Sequence, residues 1–441
     1  MTRAEALLCR QMSTELSLEK KQHLWWSNVT GDIEYVEGNT NDNYSMKPSG
    51  KIIDKANRPS PSGFGDVMLL PMEMQLAGVG VMGAATLLGK EEAAARKVAV
   101  LHWNKRRHAV PLQESEMDMF SEAPWKAWEL KRGELAYWHA QVENYDITMS
   151  MYEGLSENLS TSTTDATLGN GLGIAKRYHP NFYYYLGTSA TNGTLTRLGS
   201  AGKFPTAAEV YAGANISVTG ATYGTMTSYT VMKAWSKVQE LGIRQVQIEG
   251  ALKFWVWLIS PQQAITLLDD ARYIAAQNAI MWKNAKDHPL LNGALGYYMG
   301  FVFYIDPITV HGVYSADAGT TIDFLGTATQ ASSTTNKSNP RFLPMEGRTA
   351  AQTTETVYNH VSMILGAGAM GLARKKELAF AEELIDYGEW KGLGAGQTYG
   401  YERMDYIRHD QVGAMEGSTG VAAATNVYNK SSMLVMTWQL A

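Results

Sequence analysis

One stretch of this 441-residue chain, residues 121–152, constrains the fold more than any other because it predicts a single uninterrupted helix. Large apolar side chains recur in it every seven residues, at Trp128, Leu135, Val142 and Met149. That spacing keeps an apolar stripe on one face of a helix. At ~1.5 Å per residue the helix is about 45 Å long, roughly twice the radius of gyration of a globular chain of this size. We therefore expect a flat, plate-like subunit, the alternative being a long helix across an ordinary two-layer domain.

Two strand-like runs upstream of this helix, residues 66–76 and 97–103, predict a long hairpin with a tip rich in Gly and Ala. Apolar side chains alternate along the first run, at Met68, Leu70, Met72 and Met74. An isolated two-stranded ribbon is barely stable in water, and its open edges invite aggregation. We therefore expect residues 66–104 to project from the body and to make few contacts with residues beyond 112. A neighbouring chain would cover them in a head-to-tail contact.

The remaining segments predict shorter elements that alternate without a regular period. Residues 1–25 predict a polar helix, and residues 27–65, rich in Gly, Asn, Ser and Pro, predict an extended arm. Helices are expected at 226–241, 261–268 and 270–284, and strands at 252–259, 300–305 and 433–440. Because strand–helix–strand units do not repeat, the sequence predicts an α+β fold and not a doubly wound α/β fold.

Composition excludes several classes of protein. The net charge of −5 argues against a basic nucleic-acid clamp, and a single cysteine, Cys9, excludes a disulfide scaffold and a Cys-rich metal site. No apolar run reaches the length of a membrane span, so we expect a cytoplasmic protein. Only 18% of residues are charged, whereas Trp, Tyr and Met number 12, 23 and 22. These three types are enriched at protein–protein interfaces, so the composition fits a subunit of an assembly and fits a large enzyme with a big core equally well.

Two glycine patterns resemble the turn of dinucleotide-binding proteins, where glycines let the backbone approach a pyrophosphate. The first, Gly78–Gly83, has no acidic residue about 20 positions further on and is interpreted as a flexible hairpin tip. The second, Gly366–Gly371, is closer to the motif, and Asp386 lies near the distance of a ribose-binding acid. Residues 348–363 instead have helix-like polarity, and Val357, Val361 and Ile364 lie at helical spacing. We therefore predict that Gly366, Gly368 and Gly371 lie within a helix or at its end.

No other pattern in the sequence predicts chemistry. There is no P-loop, no HExxH motif and no GxSxG motif. His102 and His108 flank two arginines, and no acidic residue lies beside them to complete a metal site. Each is interpreted as an ordinary surface or core residue, and Cys9 has no neighbouring histidine that would make it a nucleophile. We predict no catalytic residue, no cofactor-binding residue and no metal ligand.

In their order along the chain, these features resemble the major capsid proteins of tailed phages with the Hong Kong 97-like fold, most closely the N-four-type phage family. The resemblance spans most of residues 64–410. It rests on four stretches: residues 66–112 with the spine-like helix that follows, Phe254–Gln263 with Leu267 and Leu268, Pro289–Gly296, and Leu365–Ala369. The last resembles a small-residue packing segment of that family. Ser260 stands where the family usually has His, a departure with no obvious cost.

The resemblance implies a shell-forming subunit without an active site. It divides the chain into an N-terminal arm (1–63), an extended hairpin called the E-loop (64–112), the spine helix of a peripheral domain (113–154), a mainly axial domain (155–380) and a return to the peripheral domain (381–441). It also implies self-assembly into hexamers and pentamers of an icosahedral shell that encloses double-stranded DNA.

The same resemblance implies a virion protein that is assembled in the host cytoplasm, with itself as the main partner. Portal, scaffold and decoration proteins are further partners that it leaves open, with weak non-specific contact to packaged DNA and none to a membrane. Two alternatives remain. One is a NAD(P)-dependent oxidoreductase that uses Gly366–Gly371, and the other is an encapsulin-like shell of the same fold around protein cargo.

Overall fold

A computed structural model places two large sheets and one long helix in this chain. It describes residues 14–21, 23–36, 45–47, 49–56, 67–73, 80–82, 96–113, 124–156, 158–159, 177–189, 192–201, 224–247, 253–279, 294–305, 311–312, 357–385, 390–408 and 427–440, and the single residues 172, 174, 203 and 205. No helix within these ranges is both long and apolar enough to cross a membrane.

The strands are numbered in chain order: β1 (Thr30–Asp32), β2 (Glu34–Val36), β3 (Ser45–Lys47), β4 (Ile53–Ala56), β5 (Val67–Glu73), β6 (Arg96–His102), β7 (Asn104–Gln113), β8 (Phe182–Ser189), β9 (Asn192–Arg197), β10 (Val246–Gln247), β11 (Lys253–Ile259), β12 (Gly296–Tyr298), β13 (Phe301–Ile305), β14 (His311–Gly312), β15 (Val357–Leu365), β16 (Met370–Ile385), β17 (Trp390–Arg403), β18 (Ile407–Arg408) and β19 (Ser432–Leu440). The named α-helices are α1 (Pro124–Glu153), α2 (Ser228–Leu241), α3 (Pro261–Leu268) and α4 (Ala271–Ala279). Residues 14–21 are also helical.

The two sheets take their strands from distant parts of the chain. The first has five strands in the order β1-β4-β16-β17-β7. The second has nine strands with the main order β12-β13-β11-β15-β19-β8-β9, while β10 and β14 pair with β11 and β15. The final strand β19 thus lies inside the second sheet, between β15 and β8, and the arm strands β1 and β4 belong to the first. Smaller pairings join β18, β6 and β5, and β2 with β3.

The long helix is confirmed as α1, which spans Pro124–Glu153, and Gly154 follows it at φ +85°. Leu135, Val142 and Met149 of the seven-residue stripe are buried as predicted. The side chain of Trp128 lies outside the described residues. Leu135 packs with Leu16 of the N-terminal helical segment and with Leu378 and Ala395 of the first sheet. The helix therefore packs on the five-stranded sheet through that side chain.

The predicted elements around the second sheet are also confirmed. Helix α2 ends at Gly242, which adopts a left-handed conformation at φ +65°. Ser260 begins α3 with a capping box: its Oγ accepts a hydrogen bond from the Gln263 backbone N–H at 3.2 Å, and the Gln263 side chain accepts one from the Ser260 backbone at 3.0 Å. This pairing satisfies orphan helix donors, which explains how Ser serves at this position. Residues 280–284 lie outside the described ranges.

The expectation for the hairpin is wrong at its base. Strands β5 and β6 pair as predicted, but β6 does not project from the body. Val98 pairs with Ile407 of β18, and Leu101 is fully buried in a cluster that includes Ala373 and Met404. This contact could not be predicted from local patterns, because the residues that cover β6 lie about 300 positions further along the chain. Of the tip, only residues 80–82 are described, and Met82 is 81% exposed.

We predict that Leu135→Ala lowers the free energy of unfolding by about 2–5 kcal/mol, because it leaves a cavity among four packed side chains. Urea denaturation followed by circular dichroism measures the change. Glu134→Ala is the matched control on the same helix turn, since Glu134 is exposed and pairs with the neighbouring Lys131 at 3.0 Å; it should change stability by less than about 0.5 kcal/mol. Equal stability of Leu135→Ala and the wild type would contradict the packing described.

Candidate functional site

The glycine pattern at residues 366–371 forms a tight junction between the two sheets. Strand β15 of the second sheet ends at Leu365, and β16 of the first sheet begins at Met370. Gly368 adopts φ +67°, a conformation that favours glycine. The helix prediction for Gly366, Gly368 and Gly371 is therefore wrong. Residues 360–370 are all buried, and a strand buried on both faces has a near-continuous apolar pattern that periodicity cannot distinguish from a buried helix.

The junction has neither the donors nor the space for a dinucleotide phosphate. Its backbone N–H groups already donate to carbonyls: Gly366 to Ser431 at 2.7 Å, Ala367 to Arg244 at 3.0 Å and Gly368 to Lys51 at 2.8 Å. A strand and not a helix follows the turn, so the turn does not lead into a helix N-terminus as the dinucleotide motif does. Strand β15 is antiparallel to both β11 and β19. The oxidoreductase hypothesis therefore finds no support in this turn.

A cluster of buried charges joins α1, the N-terminal helical segment and the first sheet. We call Lys20, Glu143, Arg374, Gln397 and Tyr401 the helix network. Glu143 is fully buried and is contacted by the ammonium of Lys20, the guanidinium of Arg374 and the hydroxyl of Tyr401. Lys20 also donates to the Gln397 side chain at 2.7 Å. One carboxylate thus holds three separate parts of the chain together.

The electrostatics of the helix network favour an ionised Glu143. Burial alone would raise the pKa of this carboxyl. Attraction by Arg374 and Lys20, together with hydrogen bonds from Lys20 and Tyr401, outweighs burial and lowers the pKa from 4.5 to about 2. Nearby, burial raises the pKa of the Tyr401 hydroxyl, and Glu143 raises it further, so the phenol stays protonated and able to donate.

A second cluster fixes the base of the hairpin to the body. We call His102, Arg177, Glu402, Arg403 and Asp405 the hairpin network, and all five are buried. Glu402 accepts from the His102 backbone N–H at 2.6 Å, contacts the His102 Nδ1 at 2.5 Å and pairs with Arg177 at 3.2 Å. Asp405 pairs with Arg403 at 2.7 Å and with Arg177 at 3.4 Å.

The two histidines that the sequence analysis singled out lie in different environments. His102 is a core residue, as one of its two interpretations had it, and its acidic partner Glu402 lies 300 positions downstream. His108 is exposed and stacks on Trp138 at 4.1 Å. Within the described residues no group of three His, Cys, Asp or Glu side chains is placed to hold a metal ion. Cys9 lies outside those residues.

Neither network was predicted from the sequence, although one signal was present. His139, Glu143 and Asp146 recur at helical spacing within α1 and would share one face, and all three are buried. Asp146 accepts from the Tyr399 hydroxyl at 2.5 Å and pairs with Arg106 at 3.0 Å. A polar stripe beside the apolar stripe of α1 could therefore have indicated that these acidic side chains are buried against cationic side chains. It could not have identified the cationic residues.

We predict that Gly366→Ala destabilises the chain by about 1–3 kcal/mol, as overpacking of a buried site does. A Cβ atom at this position would lie 2.1 Å from the Arg244 carbonyl oxygen, which is backbone and cannot move alone. Gly133→Ala in α1 is the matched control, because its Cβ would meet only the end of the Glu19 side chain at 3.2 Å and Ala is favoured within helices. The control should match or exceed wild-type thermal stability.

We also predict that Glu143→Gln costs about 3–5 kcal/mol at neutral pH, because it leaves buried cations uncompensated. The pKa of Glu143 is lowered on folding, so its contribution is complete above the ordinary value of 4.5 and is lost as the pH falls towards about 2. Urea titrations over this range should therefore show a steeper loss of stability in wild type than in Glu143→Gln. The exposed Glu377, which pairs with Arg374 at 3.3 Å, supplies the control Glu377→Gln. Parallel pH profiles for wild type and Glu143→Gln would refute this assignment.

Comparisons with known proteins agree on one kind of relative. The structure is similar to the capsid of Ralstonia phage GP4, with a TM-score of 0.55 and 14% identity over 89% of this chain and 88% of that chain. It is similar to the acidic stable capsid structure of Helicobacter pylori bacteriophage KHP30, with a TM-score of 0.52 and 14% identity over 93% and 90%. The head structure of Helicobacter pylori bacteriophage KHP40 gives 0.50 and 14% over 92% and 94%.

These likenesses confirm the α+β fold of the Hong Kong 97-like capsid type. No curated protein matches the chain. The family model described as phage capsid protein matches residues 25–427, which include the five-stranded sheet, the long helix and the hairpin network. Because that match covers most of the chain, this protein belongs to the phage capsid protein family.

Proposed function

We propose that this capsid protein is the major shell subunit, which self-assembles into hexamers and pentamers of an icosahedral shell around double-stranded DNA. The observation that carries the proposal is the family match over residues 25–427. The family makes the protein a structural component of the virion capsid. The subunit geometry supports a shell role, because a helix of 30 residues lies along a sheet whose strands β16 and β17 have 16 and 14 residues. Such a shape offers long edges to neighbours.

The proposed domain division follows the two sheets. The peripheral domain consists of α1 and the five-stranded sheet, and the axial domain consists of the nine-stranded sheet with α2, α3 and α4. Compared with the division expected from the sequence, strands β1, β4 and β7 join the peripheral domain and strand β19 joins the axial domain. The boundary near 380 moves to the junction at 366–369, because β16 begins at Met370.

The E-loop is proposed to extend over a neighbouring subunit through its tip, residues 74–95. Its base differs from the original expectation, because the hairpin network and the buried Leu101 hold β6 in its own chain. A fixed base would set the direction of the tip, so that all copies reach their neighbours at the same angle. The proposed partner of the tip is another copy of this chain, because identical subunits in a closed ring repeat one head-to-tail contact.

The proposed partners beyond the chain itself are portal, scaffold and decoration proteins, and packaged DNA by weak non-specific contact. Assembly is proposed to take place in the host cytoplasm, and the subunit is proposed to act without a catalytic site. The net charge of −5 supports weak contact with DNA, because a chain without excess positive charge gains little from counterion release.

Electron microscopy of the purified protein tests the proposal. Shells with hexameric and pentameric units are expected, and shells isolated from infected cells should contain nucleic acid and not a protein cargo.

Replacement of residues 78–95 by a short Gly-Ser linker tests the role of the E-loop tip. The variant subunit should fold with an unchanged thermal transition but should no longer form shells. Shells that assemble normally without the tip would contradict the E-loop role, and a monomer at all concentrations would contradict self-assembly.

A further inference from the structure

Helices α2, α3 and α4 cover one face of the nine-stranded sheet. Trp255 and Trp257 of β11 pack under these helices, whereas Val256 lies between them and packs on the opposite face with Ile147 of α1. Each helix turns apolar side chains towards the sheet: Val231, Ala234 and Val238 of α2, Ala264 and Leu267 of α3, and Tyr273 of α4. Among the described elements, the three helices are therefore the outer layer on this side of the sheet.

The outward faces of this layer expose several large apolar side chains. Twelve large apolar side chains are exposed in the described residues, and five of them lie on these three short helices: Met232, Trp235, Ile265, Leu268 and Ile274. Met232 and Trp235 lie three positions apart, and so do Ile265 and Leu268. That spacing places two side chains side by side on a helix. We call these five residues the helix-layer patch.

Contacts between the helices bring the helix-layer patch into one area. The backbone N–H of Ser228, at the start of α2, donates to Asp270 Oδ2 at 2.7 Å, and Asp270 directly precedes α4. The guanidinium of Arg272 lies 4.5 Å from the centre of the Tyr229 ring. No member of the patch is more than two helical turns, or about 11 Å along a helix axis, from the contact between Ser228 and Asp270. Exposed apolar side chains that are grouped in this way mark an interaction surface.

The charges around the helix-layer patch are balanced. Helix α2, helix α4 and the two residues between α3 and α4 carry three cations and three anions: Lys233, Lys237, Arg272, Glu240, Asp269 and Asp270. Lys237 pairs with Glu240 at 2.6 Å. Lys233 on α2 and Asp269 at the end of α3 are exposed, and neither forms an ion pair with any residue that the structure describes. The patch therefore has one available charge of each sign beside its apolar side chains.

We propose that the helix-layer patch binds a second copy of this chain, with α2 of one copy packed against α3 and α4 of the other. In this arrangement Met232 and Trp235 lie against the three patch side chains on α3 and α4 of the other copy. Lys233 then lies beside Asp269 of that copy. The inference rests on the proposed self-assembly and names one contact within it.

A second copy fits this surface better than a nucleic acid or a strongly charged protein. A surface with equal numbers of cations and anions gains little from phosphate groups. The same surface on another copy supplies apolar side chains to cover the patch, and it brings an opposite charge to Lys233 and to Asp269. Trp, Met, Tyr and Arg are the residue types enriched in protein–protein interfaces, and all four occur here. A capsid protein also meets many copies of itself.

The variant Ile265→Glu tests the apolar part of the contact. Ile265 is 61% exposed, so the variant should keep the wild-type thermal transition. A carboxylate placed in an apolar contact should raise the protein concentration needed for assembly, measured by light scattering, at least about tenfold. Leu18→Glu is the matched control, because Leu18 is 56% exposed on the N-terminal helical segment, which packs on the other sheet. The control should assemble at the wild-type concentration.

Charge exchange tests the polar part. Lys233→Glu and Asp269→Lys should each raise the assembly concentration at least about threefold through like-charge repulsion. The two changes in one chain should restore the wild-type value, because the pair is then present with its signs reversed. A double variant that assembles no better than either single variant would overturn the pairing and with it the proposed arrangement.

Cross-linking detects the contact whether or not complete shells form. With Cys9 replaced by Ser, chains with Lys233→Cys are mixed with chains with Asp269→Cys, and a disulfide-linked dimer of unlike chains is expected under mild oxidation. The proposal is wrong if no such dimer forms or if Ile265→Glu assembles at the wild-type concentration. It is also wrong if Ile265→Glu shells form normally and lose only another bound protein. A cross-linked dimer without shells would contradict the proposed shell function and support this contact.

Discussion

The contact between the carboxylate of Glu143 and its buried cations is the interaction on which the rest of the structure depends. It joins the long helix, the five-stranded sheet and the N-terminal helical segment at one point, where water is excluded. A buried ion pair is weak evidence for stability, because desolvation offsets much of its attraction. Such a site instead fixes the relative positions of the elements that it joins, because a buried charge that loses its partner costs several kcal/mol. The register of the helix on the sheet is therefore fixed by where the cations are, and a slip by one turn would leave charges unpaired.

The glycine junction fixes the position of one sheet relative to the other, and it does so without charges. Close packing and backbone hydrogen bonds hold it, since the carbonyls of Lys51, Arg244 and Ser431 accept hydrogen bonds from a turn of four residues. The two sheets are thus held together by a point that tolerates no added side chain. A subunit that must repeat in identical copies benefits from this rigidity, because small differences in angle between its halves would accumulate around a closed shell.

Local patterns predicted the elements well, and long-range contacts escaped them. The seven-residue stripe on α1 and the Ser260–Pro261 helix start could be read directly, because the physical causes lie within a few residues. The segment before Gly366 was misassigned, because Val357, Val361 and Ile364 satisfy helical spacing equally well when a strand is buried on both faces. The base of the hairpin was misplaced for another reason, since its cover comes from residues near 402–407. The order of features, and not any one of them, carried the family resemblance that the comparisons confirm.

The position of β19 has a consequence for the order of events during synthesis. Residues 432–440 form an interior strand between β15 and β8, so the nine-stranded sheet stays divided until that stretch has left the ribosome. The hydrogen bond from Lys20 to Gln397 likewise cannot form until Gln397 has been synthesised, 377 positions later. A nascent chain therefore cannot present a finished subunit to its neighbours. Completion of the fold therefore delays the appearance of a finished subunit until both long-range pairings can form.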